Sequence, residues 1–194
     1  MKLILGATAI LTLAGAGLWI GTAPSPTALE SHPPLDGPYV THTEVAEAVG
    51  DIEAFHAFFE EPGLTAFLSP TDRIPAIESI EVLEGNWDAA GSVRRANLAD
   101  GNFALERIVE IAPGLFRYQI WNISTLSGRG IDHIYGDIEM SETDEGVRLV
   151  WSYNVKPRFA LARGAIETFV EEDFAPFMEE GLTEFMAAFE ATQG

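Results

Sequence analysis

Residues 166–191 read IETFVEEDFAPFMEEGLTEFMAAFEA. Ile166, Phe169, Val170, Phe174, Phe177, Met178, Leu182, Phe185, Met186 and Phe189 return at intervals of three and four. At 3.6 residues per turn that spacing gathers them into one broad apolar stripe. Glu167, Glu171, Glu172, Glu179, Glu180 and Glu184 occupy the remaining surface. The pattern predicts an amphipathic helix from about Ala160 to Ala191. Pro176 lies inside it, lacks a backbone donor and clashes with the preceding turn, so a kink or a break is expected there. Gly181 weakens the same region. The stripe has to be buried against another layer, and most of what precedes it reads as strand.

Val40, Thr41, Thr43 and Val45 supply β-branched residues to a first strand over Tyr39–Ala48. Gly50-Asp51 punctuates it, and Asp51 is a ready helix cap. Ile52, Phe55, Phe58 and Phe59 share one helical face over Asp51–Glu60, and Pro62-Gly63 stops that helix. Leu64–Leu68 forms a second short helix. Strand patterns then follow at Ile77–Glu84, Ser92–Leu98, Asn102–Ile111, Leu115–Ser124, Ile131–Ser141 and Val147–Val155. Asp100-Gly101, Pro113-Gly114 and Asp144-Glu145-Gly146 supply the turns. Asp-Gly is strongly favoured at the tip of a two-residue hairpin. One strand, two short helices, about six meandering strands and one long helix make an α+β chain. An antiparallel sheet curled around the terminal helix buries the stripe.

The other end of the chain has a different composition. Leu3–Ile20 contains no charge and follows Lys2. Its length reaches the lower range for a spanning helix, about 17–25 residues, and exceeds a signal-peptide apolar region of about 7–15. Gly21-Thr22-Ala23 resembles a cleavage site, but Pro24 would follow the scissile bond. A signal anchor and a cleaved signal peptide both remain readings of residues 1–23. In either case Lys2 stays cytoplasmic and the acidic bulk is exported, to the periplasmic side of a bacterial membrane. Residues 24–38 hold Pro24, Pro26, Pro33, Pro34 and Pro38 and read as a semi-stiff tether. Residues 39–194 form the folded domain, of a size that suits one core.

The formal charge is −19, from 30 acidic and 11 basic residues. A field of that sign repels phosphate backbones, which argues against a nucleic-acid partner. The chain has no cysteine, which excludes disulfides, thiolate metal sites, cysteine nucleophiles and a lipidated cysteine.

Gly91-Ser92-Val93-Arg94-Arg95 ahead of Asp100-Gly101, and Glu145-Gly146-Val147-Arg148-Leu149-Val150-Trp151, carry a family resemblance together with the order of elements. From about Thr41 onward the chain resembles the SRPBCC or START-like superfamily, which includes polyketide cyclase/dehydrase-like proteins. The second segment lacks the threonine of the family's acidic-Gly-Thr-Arg turn. The resemblance implies the helix-grip fold, with a curved sheet of six or seven strands wrapped on the long helix. It also implies an apolar cavity between the two. Members bind lipids, sterols, polyketides or hormones, and some are cyclases.

Tyr118, Tyr135, Trp151 and Tyr153 lie on the strands, and Phe169 and Phe177 lie on the helix; these six are the candidate ligand-lining residues. Aromatic faces suit an apolar pocket with a few polar handles; ordinary core packing uses the same residues. Glu106 and Glu110 share a strand parity and are candidates to project inward. Arg107 and Arg117 do so only if a bulge slips the alternation. His133 is a strand neighbour of Asp132, which directs the two to opposite faces and excludes a simple dyad. No helical zinc motif, nucleophile elbow or phosphate loop occurs, so no catalytic residue, metal or cofactor is assigned. The sequence therefore supports a binder of a small hydrophobic ligand, touching a membrane only through its N-terminal segment. A cyclase- or hydrolase-type enzyme using the same cavity and an acidic interaction module are the alternatives.

Overall fold

The computed structural model describes residues 31–194. Seven strands form one antiparallel sheet: β1 (Val40–Ala48), β2 (Ile77–Glu84), β3 (Val93–Leu98), β4 (Phe103–Ala112), β5 (Leu115–Trp121), β6 (Ile131–Thr143) and β7 (Gly146–Pro157). Their spatial order is β1-β7-β6-β5-β4-β3-β2. The six later strands meander, and the first returns beside the last. Between β1 and β2 come α1 (Ile52–Glu60) and a short 3-10 turn, Leu64–Phe67. The Asp51 carboxylate accepts from the backbone of Glu53 and Ala54, which satisfies two donors of the first turn of α1.

The C-terminal helix lies across the concave face. Met178, Leu182, Phe185, Met186 and Phe189 are buried on it, against Ile134, Ile138, Val147, Leu149 and Val155 of the sheet. The rings of Phe55 and Phe189 stand 4.8 Å apart, and Phe58 and Phe67 close on Phe185 from the same side. Each fully buried phenylalanine stabilises the fold by about 1.5–3 kcal/mol. This cluster fastens one end of the helix to α1 and the 3-10 turn.

Pro176 does not end the helix. α2 (Arg163–Phe169) runs into a π-helical turn, Val170–Phe174, and α3 (Ala175–Ala191) continues from it. The Ala175 N–H donates to Val170, five residues back, so the wide turn absorbs the irregularity immediately before the proline. Pro176 then falls in the first turn of α3, where a missing donor costs little.

The Asp100-Gly101 hairpin also differs from expectation. Leu98 bonds to Asn102, so three residues form the loop, with Gly101 at φ +82° closing on the Leu98 carbonyl. Left-handed backbone at the third position demands the glycine.

Two bulges matter for the site, one between Ile108 and Glu110, the other between Ile131 and His133. The tether, from Ser31 onward, lies against the convex face, where the Gln119 amide donates to the Pro33 carbonyl at 2.9 Å. Among the described residues no helix is long and apolar enough to cross a membrane. The run Leu3–Ile20 lies outside the described residues.

Candidate functional site

The registers lay out the concave face row by row. One row crosses all seven strands as Val82, Arg94, Glu106, Ile120, Ile134, Val155 and Val40. An arginine and a carboxylate thus stand in the middle of an otherwise aliphatic line. They pair at 2.5 Å, with only 18% and 11% of their side-chain surfaces exposed. Trp87 lies over the Arg94 guanidinium at 3.9 Å from its ring centre. The Trp87 backbone takes a positive φ of 62° to reach it, a conformation rare for a bulky residue.

The next row is Ile108, Tyr118, Gly136, Tyr153 and His42; the one beyond is Ile111, Phe116, Ile138, Trp151 and Glu44. The Trp151 indole N–H donates to the Tyr118 hydroxyl at 3.1 Å. Burial pushes both the Tyr118 and Tyr153 phenols well above their ordinary value, and the Glu106 charge pushes them further. Both hydroxyls therefore stay protonated and can donate hydrogen bonds.

The helix covers this face unevenly. Over the β7 side Phe174 stacks on Tyr153, ring centres 4.3 Å apart, and fills the space beneath the π turn. Over the β2 side none of the described helices lies: Ile80 and Val82 are 43% and 49% exposed, although they share the concave face with Ala96 and Arg94. The concave face thus carries an open aliphatic edge at β2, a mostly buried ion pair at its middle and two protonated phenols further in. Arg73 braces the rim by pairing with Asp173 of the π turn at 2.7 Å, below the ring of Phe169.

Of the six aromatic candidates, Tyr118, Trp151 and Tyr153 meet on the concave sheet. Phe169 and Phe177 lie half-buried on the helix around Phe174, at 5.9 and 5.5 Å. Tyr135 does not join them. Its direct partners are Gln119 and Asn154, on the convex face, because it has the opposite parity to Ile134. Glu106 points inward as anticipated. Glu110 does not: the bulge before it reverses its side, and it pairs outward with Arg117 at 2.8 Å. Arg107 is likewise convex and donates to Gln119 at 2.7 Å.

The two-residue hairpin expected at Asp100-Gly101 would set Arg94 opposite Arg107; the three-residue loop sets it opposite Glu106 instead, which is why the expected register misses the pair.

His133 corrects the parity argument. The bulge before it lets its Nδ1 meet the Asp132 carboxylate at 2.9 Å, while Nε2 meets the Tyr39 hydroxyl at 3.1 Å. The ring is fully buried on the convex side, and both its nitrogens are engaged. The arrangement pins the tether rather than presenting a base. Lys156 adds an ion pair to Asp36, holding that carboxyl below its usual range.

A family model described as "Polyketide cyclase / dehydrase and lipid transport" matches residues 62–190. Among solved structures, the Zhui aromatase/cyclase from Streptomyces sp. R1128 is 19% identical, with TM-score 0.55, over 81% of this chain and 98% of that one. Major latex-like protein 151 from Panax ginseng is 18% identical, with TM-score 0.56, over 79% and 99%. The di-domain ARO/CYC StfQ of the steffimycin biosynthetic pathway is 12% identical, with TM-score 0.59, over 80% of this chain and 52% of that one. At these identities the likeness is one of fold. No curated protein matches the chain.

Proposed function

The chain belongs to the polyketide cyclase / dehydrase and lipid transport family, and from that premise we propose that it binds a small hydrophobic ligand, lipid-like or aromatic, in the groove between the concave sheet and the C-terminal helix. One observation carries the reading: the Arg94–Glu106 pair is mostly buried within an aliphatic row whose outer end, at Val82, is uncovered, as is Ile80 in the row beside it. Exposed apolar surface leading to fixed polar groups is the ordinary composition of a small-molecule site. The ligand's apolar body lies along Ile80, Val82, Ala96 and Ile111. A polar group on it meets the Arg94 guanidinium or the Tyr118 and Tyr153 hydroxyls, which orient it.

The test uses the full chain with 1-anilinonaphthalene-8-sulfonate, an apolar ring system bearing one anion. Its fluorescence rises on binding, and Val82→Glu weakens that binding about tenfold by placing a negative charge on the apolar lip, opposite Arg94, where it repels the sulfonate, a difference of about 1.4 kcal/mol. Val82 is exposed, so the variant keeps its fold. Unchanged affinity in Val82→Glu would remove the groove from consideration.

The same polar cluster favours a second reading, a cyclase- or dehydratase-type activity. A carboxylate and two protonated phenols around one apolar groove are the equipment for moving a proton on a bound carbonyl compound. Turnover of the bound molecule that is lost in Glu106→Gln while binding persists separates this reading from simple carriage.

A further inference from the structure

Arg94 is held from two directions. Its Nε donates to the Glu106 carboxylate at 2.5 Å, and the Trp87 ring lies over the guanidinium face at 3.9 Å. Trp87 arrives there from the turn between β2 and β3, and that turn is itself fixed. Gly85 and Gly91 bracket it at φ +70° and +91°. A Cβ at Gly85 would come to 2.4 Å from the Ser92 hydroxyl, and the Gly91 N–H donates to the Ile108 carbonyl at 2.9 Å. The left-handed backbone of Trp87 is a cost that persists only where the surroundings impose it, and ligand clamps are among the places where such strain collects.

This grip leaves one edge of the guanidinium open. Glu106 engages Nε, while neither Nη1 nor Nη2 has a hydrogen-bond partner among the described residues. A guanidinium presents its donors in a planar fork, and the Nη1–Nη2 edge is a bidentate one. Only 18% of the side-chain surface is exposed, so donors left idle here carry a cost that a bound acceptor would remove.

The polar group nearest along the face is a donor too. The Tyr118 hydroxyl accepts from the Trp151 indole at 3.1 Å and keeps its own proton to give. Glu106, on the strand between those of Arg94 and Tyr118, is already taken up by Arg94. The middle of the concave face thus offers donors that lack acceptors, beside the uncovered apolar edge at Val82.

We propose that the ligand of this face is an apolar molecule ending in a carboxylate, which lies across the Nη1–Nη2 edge of Arg94, and that Trp87 and Glu106 hold that edge in position. The assignment rests on the reading above that the concave face binds a hydrophobic molecule. Two carboxylate oxygens match the two ends of the fork, whereas a hydroxyl or a ketone presents one oxygen. The net charge of −19 repels an anion at long range, so the acid is recognised by this contact rather than steered to it.

The test compares 1-pyrenebutyric acid with 1-pyrenebutanol, which share the ring system and alkyl arm and differ in the end group. Each is titrated into the full chain at neutral pH and followed by pyrene fluorescence. The acid binds about tenfold more tightly than the alcohol. Arg94→Lys keeps a charge opposite Glu106 but replaces the fork by a point, so the acid weakens severalfold and the alcohol does not. Arg94→Met combined with Glu106→Leu strands no charge and abolishes the preference. Trp87→Leu leaves the ion pair in place and weakens the acid more than the alcohol; equal weakening of both overturns the positioning role of Trp87. Equal affinity of acid and alcohol for the native chain, with both weakened in Val82→Glu, overturns the carboxylate and leaves the apolar site standing. A preference for the acid that persists in Arg94→Lys and in the double variant overturns the assignment to Arg94. Binding of neither probe overturns this proposal together with the site on which it rests.

Discussion

The ring of Tyr118 lies across the backbone of Gly136, its direct partner on the neighbouring strand. A methyl group at Gly136 would come to 2.1 Å from Cζ of that ring. The missing side chain is what lets the phenol lie flat on the sheet, with its hydroxyl under the Trp151 indole and its ring edge toward Tyr153.

Gly136→Ala is therefore expected to expel Tyr118 from its place. The strain of overfilling costs about 1–3 kcal/mol, and the Trp151 N–H loses its acceptor. Tyr118→Phe keeps the ring and removes only the oxygen, leaving that buried N–H unpaired at about 1–3 kcal/mol. Urea denaturation of the two single variants and the double variant checks the argument. Because both changes act on one contact, the double costs less than the sum of the singles. Full additivity would show that the two residues act independently.

The Arg94–Glu106 pair supports a second prediction. Both side chains are mostly buried, so removing one partner strands the other charge. Arg94→Met is expected to destabilise by about 3–5 kcal/mol, whereas Arg94→Met with Glu106→Leu is about neutral or stabilising. Denaturation midpoints decide between these. If the double variant is as stable as the native chain yet loses anilinonaphthalene sulfonate, the pair is there for the ligand rather than for the fold.

The residues of the groove were legible in the sequence to different degrees, and for physical reasons. Strand limits followed from period-two alternation and from Gly, Asp and Pro at the turns, so β2 was read to the residue. Alternation puts Trp151 and Tyr153 on one face, and they stand on the concave side with the candidates Tyr118 and Glu106. It failed at the two bulges, where one extra residue reverses parity. One reversal turned Glu110 outward to Arg117, and the other let Asp132 reach His133. Bulges are set by tertiary curvature and leave no local signature here. Tyr135 was misplaced for a simpler reason, that its aromatic character was weighed above its parity with Gln119. The Pro-rich segment reads as an extended spacer by composition, but Pro33 and Tyr39 find convex partners far along the chain, at Gln119 and His133.

The two inner phenols predict a pH dependence. Their folded pKa values are raised above the ordinary 10.0, so the stability they contribute is fully present below pH 10. Above that pH the unfolded chain releases protons that the folded chain keeps, and stability falls as pH rises. Absorbance at 295 nm should show phenolate from Tyr39 and Tyr135 first, and from Tyr118 and Tyr153 only as the fold is lost. Tyr153→Phe should flatten the decline in stability above pH 10. A smooth titration of all four phenols in a folded chain would contradict the buried placement of Tyr118 and Tyr153.

The π turn gives the last prediction. Val170–Phe174 stands directly before Pro176, carries Phe174 onto Tyr153, and is tied through Asp173 to Arg73 at the groove's rim. A wide turn has one hydrogen bond fewer than the α-helix it replaces and marks a point where the helix can flex. Pro176→Ala restores a donor near this seam. Its effect on stability should be well below the roughly 3 kcal/mol of a proline in a helix interior, because Pro176 already occupies the first turn of α3. Stopped-flow mixing with anilinonaphthalene sulfonate then separates two roles for the turn. If the turn lifts Phe174 to admit ligand, the stiffer variant binds more slowly at nearly unchanged affinity, since a restriction on the path alters both rate constants together. Unchanged rates would mean that ligand reaches the floor over the open lip at Ile80 and Val82, and that the π turn serves only to seat Phe174 on Tyr153.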